Sequence, residues 1–77
     1  MKQKRPVNET NEERFKRVAE KRTKAVLNQL RLLGNCSNRR LYRYSQNDIE
    51  RIFTAIHAKV RESKAKFSTN KYEEFKL

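Results

Sequence analysis

The chain has 77 residues, enough for one domain and too few for a second independent core. Apolar residues make up 35% and charged residues 38%, against ordinary levels of about 45–50% and about 25%, so little side-chain material is available for burial. Lys and Arg number 20 against 9 Asp and Glu, a net charge of +11; self-repulsion at that density opposes compaction unless an opposite charge lies near, which points to a polyanion such as nucleic acid.

Residues 1–9 carry Lys2, Lys4, Arg5 and Pro6 without an apolar period, and are expected to form a flexible basic arm. The opening Met1-Lys2-Gln3-Lys4-Arg5 has the charge of a signal peptide, but no apolar segment follows it. No stretch approaches the roughly 20 apolar residues of a membrane span, and a cytoplasmic location is expected.

Thr10 followed three residues later by Glu13 predicts a capping box and the start of a helix. Phe15, Val18, Ala19, Val26, Leu30 and Leu33 then recur at helical spacing, and Gly34 is expected to supply a left-handed residue that ends the helix. The first helix is therefore predicted over about 11–33. On a helical projection its apolar set lies almost opposite a row formed by Arg14, Arg17, Lys21, Lys24, Asn28 and Arg31, which extends over about 26 Å.

Residues 34–45 combine turn formers with the alternating run Leu41-Tyr42-Arg43-Tyr44 and contain no acidic residue. This connector is longer than the usual helix–helix link of about 2–8 residues, which suggests local structure or function. Ser45 with Asp48 predicts a second N-terminal cap, and Tyr44 can pack on Ile49 as a hydrophobic staple. A second helix is predicted over about 46–66, with its apolar stripe on Ile49, Ile52, Phe53, Ile56, Val60 and Phe67. The tail, 68–77, holds Tyr72 and Phe75 and either forms a short helix started by Ser68 or Thr69 or frays.

The expected fold is all-α. An antiparallel two-helix hairpin spans 10–67, is joined by the long basic connector, and is completed either by the tail or by dimerisation into a four-helix bundle, with the dimer favoured.

Between Glu20 and Asp48 the chain has no carboxylate, while Lys21, Arg22, Lys24, Arg31, Arg39, Arg40 and Arg43 fall in that interval. The connector uses arginine only, and a guanidinium can grip phosphate or guanine in two-pronged fashion where an ammonium acts as a point charge. The candidate nucleic-acid contacts are Arg31, Arg39, Arg40 and Arg43, extended along the helix by Arg14, Arg17, Lys21 and Lys24. Asn35 and Asn38 are candidates for base edges and Tyr42 for stacking on an unpaired base. The competing assignments are an ordinary solvated helix face for the cations, turn chemistry for Asn35 and Asn38, and packing for Tyr44.

Catalysis is not expected. His57 and Cys36 are the only histidine and cysteine, too few for a zinc site of the usual spacing or an intrachain disulfide, and a reducing compartment is the simpler expectation. Cys36 reads as a small neutral or buried side chain. The single glycine excludes phosphate-binding glycine loops. No cofactor, metal or small-molecule substrate is expected, and membrane attachment is disfavoured because the apolar stripes are needed for folding.

The stretch from Arg14 to Phe67, with Arg-Leu-Leu-Gly-Asn-Cys-Ser-Asn-Arg-Arg at 31–40 and Tyr-Arg-Tyr-Ser at 42–45, resembles small basic proteins of Gram-positive mobile genetic elements. The resemblance implies a plasmid, phage or conjugative-element setting and assigns no functional residue. The resulting expectation is a small non-enzymatic nucleic-acid-binding protein, with DNA ahead of RNA. The alternative is a protein-interaction adaptor or inhibitor docking on an acidic partner protein.

Overall fold

The computed structural model describes residues 8–69. Among them the order is α1 (Asn11–Gly34), a short 3-10 helix (Asn35–Ser37) and α2 (Gln46–Thr69), with no strand. The chain divides between Tyr42 and Arg43 into two units.

In the first unit, α1 begins where predicted. Thr10 is extended (φ −76°, ψ 168°); its Oγ1 accepts from the Glu13 N–H at 3.1 Å while its own N–H donates to Glu13 Oε1 at 3.0 Å. Two of the helix's unpaired N–H groups are thus satisfied reciprocally, and Glu12 and Glu13 place negative charge against the positive end of the helix dipole. Good helix formers (Ala, Leu, Arg, Lys, Glu) fill the following turns.

The end of α1 corrects the left-handed role assigned to Gly34. Gly34 is right-handed (φ −60°, ψ −28°), and no described residue has a positive φ. The helix instead tightens into the 3-10 turn: Asn35 stays right-handed, and its N–H is shared among the Arg31, Leu32 and Leu33 carbonyls. These bonds satisfy the terminal carbonyls without a left-handed cap. A Cβ on Gly34 would meet nothing within 4 Å. Gly34→Ala should therefore stabilise the end of α1 by about 0.5–1 kcal/mol, because Ala loses less backbone entropy in the same conformation. A rise in helical circular dichroism and melting temperature checks this.

In the second unit, Ser45 and Asp48 form the same reciprocal box. The Ser45 N–H donates to Asp48 Oδ2 at 2.9 Å, and the Asp48 N–H donates to Ser45 Oγ at 3.1 Å. Tyr44 and Ile49 are both half-buried at this start, as a staple requires. α2 continues to Thr69, about one turn beyond the predicted end, because Ala65, Lys66 and Phe67 sustain it and no glycine or proline intervenes. Ser68 and Thr69 therefore belong to α2 rather than starting a further helix; residues 70–77 of the predicted tail lie outside the described residues. Residues 1–7 of the predicted arm also lie outside them.

No described residue is buried. On α1, Phe15 and Val26 are each 56% exposed; on α2, Val60 is 55% and Phe67 67% exposed. Cys36 is exposed as well, which removes the buried one of the two alternatives read for it from the sequence. Among the described residues no helix is long and apolar enough to cross a membrane.

Candidate nucleic-acid interface

The basic row of α1 divides by what holds each cation. Glu9, just before the N-cap, turns its carboxylate onto the helix: Arg17 Nε donates to Glu9 Oε2 at 2.7 Å and Arg17 Nη2 to Glu9 Oε1 at 3.0 Å. Arg14 Nε lies 4.0 Å from Glu9 Oε1. The Glu9 side chain is only 5% exposed, so the fork-to-fork geometry compensates a largely desolvated carboxylate. The Glu9 hydrogen bond, with a smaller attraction from its charge, holds the Arg17 pKa above the ordinary value despite some desolvation. Arg17 is thus a structural cation that locks Glu9 onto the first turns of α1.

This pairing reorganises the row read from the sequence. Arg14 and Arg17 sit next to a carboxylate, while Lys21 and Lys24, one and two turns further on, are exposed and have no ion pair among the described residues. Arg31 is braced by Asn28, whose Oδ1 accepts from Arg31 Nη2 at 2.8 Å and from Nε at 3.3 Å. Because Asn28 is neutral, the bracing limits the side chain's freedom and leaves its charge intact, which reduces the entropy lost when it binds an anion.

The connector is built by Asn38. Its Oδ1 accepts from the Arg40 N–H at 3.0 Å, and its backbone carbonyl accepts from the Leu41 and Tyr42 N–H groups at 3.1 and 3.0 Å. This is Asx-turn chemistry, so the Asn38 oxygen serves the turn and the amide nitrogen is the part that could meet a base. The turn uses the backbone of Arg40 and leaves its guanidinium exposed and without an ion pair among the described residues. Arg39 is exposed beside it, and Tyr42 is 49% exposed.

Of the predicted contacts, Arg14, Arg17, Lys21, Lys24, Arg31, Asn35, Asn38, Arg39, Arg40 and Tyr42 belong to the first unit; Arg43 opens the second and is exposed there. Sequence reasoning missed Glu9, which was assigned to the arm. Its available signal was an acidic residue immediately before a strong N-cap, with arginines on the two following turns.

Glu9→Gln should keep the cap and weaken the grip on Arg17. The expected result is tighter polyanion binding and a steeper salt dependence, with the slope of log K against log salt increasing in magnitude by about 0.9. Anisotropy titrations at several salt concentrations read this directly.

His57, outside the basic row, lies on α2 with its ring 6.4 Å from that of Phe53, at the flank of the apolar stripe. Among the described residues no group of three or more His, Cys, Asp or Glu could hold a metal ion. The chain matches no family model, no curated protein and no solved structure.

Proposed function

We propose that the protein binds nucleic acid, DNA ahead of RNA, as a cytoplasmic accessory of a mobile genetic element. Contact is through phosphates, made by Lys21, Lys24 and Arg31 on α1 and by Arg39, Arg40 and Arg43 in the connector. The observation that carries this reading is the acid-free interval between Glu20 and Asp48, whose cations Lys21, Lys24, Arg40 and Arg43 are exposed without an ion pair among the described residues. Cations left unpaired on a +11 chain gain most from a polyanion that releases its counterions. In this proposal α1 and α2 close as an antiparallel hairpin completed by a second chain, covering the apolar stripes and leaving the basic row outward.

The test is titration of nuclease-treated protein against labelled duplex DNA and single-stranded RNA by fluorescence anisotropy. Saturable binding to duplex at physiological salt supports the proposal; no binding to either probe overturns it.

A second reading draws on the exposed stripes of both helices. An adaptor would dock its basic surface on an acidic protein and use a stripe to complete that partner's core. A stoichiometric protein partner that survives nuclease and moderate salt would favour it.

A further inference from the structure

The α2 stripe carries a finer pattern than amphipathicity alone. Ile49, Phe53, Ile56, Val60, Ser63 and Phe67 alternate by four and three residues, the a/d seam of a coiled coil, over about 27 Å. On α1 the same repeat, in the phase that follows its apolar stripe, gives Lys16, Ala19, Thr23, Val26, Leu30 and Leu33. A self-paired α1 would place an ammonium and a hydroxyl in its seam and start from the small Ala19, while a self-paired α2 has larger apolar residues at every position but Ser63, whose hydroxyl can bond back to its own helix.

We propose that α2 is a dimerisation helix and that its partner is the α2 of a second copy, running antiparallel. The register sets Ile49 against the partner's Phe67, Phe53 against the partner's Ser63 and Ile56 against the partner's Val60, and the two-fold axis repeats each layer. The aromatic Phe53 thereby meets the smallest seam residue, the large-against-small match that lets facing layers interdigitate.

Charge selects the orientation. On one flank of the seam lie Glu50, His57 and Lys64; on the other lie Ile52, Lys59 and Lys66. Antiparallel pairing brings each flank against its own kind, so Glu50 meets the partner's Lys64 twice, with His57 beside the partner's His57 at the axis. The one like-charge contact, Lys59 with the partner's Lys59, is moderated because Lys59 Nζ already holds Glu62 Oε1 at 2.9 Å. A parallel, in-register pair would oppose Lys59 to the partner's Lys64 and offer no attractive pair between these flanks.

The test is sedimentation equilibrium of the full, nuclease-treated chain, which keeps it independent of nucleic-acid binding. The wild type should sediment as a dimer. Glu50→Lys and Lys64→Glu should each raise the dimer dissociation constant by about tenfold, and the double variant should restore it. In a parallel pair residues 50 and 64 stand about 21 Å apart, so the double variant would not restore association. A wild-type monomer, or a double variant no tighter than either single one, overturns the proposal.

Discussion

Replacing Arg39, Arg40 and Arg43 together by Glu should abolish retention on DNA or RNA and leave the helical circular dichroism signal in place. The substitutions turn the connector from three cations into three anions, and the expected loss of affinity is at least about a hundredfold at physiological salt. Helical content should persist because each helix starts on its own reciprocal box, Thr10 with Glu13 and Ser45 with Asp48, outside the replaced residues. The Asn38 turn should persist too, since it uses the Arg40 backbone N–H and not its side chain. Binding by the triple variant at wild-type strength would remove the connector from the interface and leave the α1 row as its source.

The second large effect is on the wild type itself. If Lys21, Lys24, Arg31 and the connector arginines Arg39, Arg40 and Arg43 meet phosphates, about six contacts per chain give a slope of about −5.4 for log K against log salt, and affinity drops on the order of a thousandfold between about 50 and about 200 mM salt. Lys21→Gln with Lys24→Gln should reduce that slope by about 1.8 with little change in preference among sequences, because phosphate contacts carry no base information. A nearly salt-independent affinity would contradict phosphate contact and favour the adaptor, whose binding would rest on the apolar stripes.

The contrast between Arg17 and Lys24 explains why the basic row had to be seen to be weighed. Both fall on one face by their spacing, and the sequence places no acid within that row. Glu9 reaches it from outside the helix, because the extended backbone of Thr10 turns the preceding residue back along the first turns. A bidentate pair across eight residues depends on that entry angle and on both side-chain rotamers, which periodicity does not encode. Asn38 is similar: its turn-forming role was one of two open readings, and its Oδ1 contact to the Arg40 N–H shows the turn using it.

The sequence by itself determined the two helices and where each begins. Those decisions are made within three or four residues, by a hydroxyl and a carboxylate exchanging backbone hydrogen bonds and by residues that favour helical dihedrals. The three-dimensional structure decided how α1 ends and how its charges are divided. Gly34 permits a left-handed cap without requiring one, and the shared Asn35 N–H satisfies the last carbonyls in a right-handed turn. Which arginine is held by a carboxylate depends on where the chain enters the helix, because ion pairing follows distance in space and not spacing along the sequence.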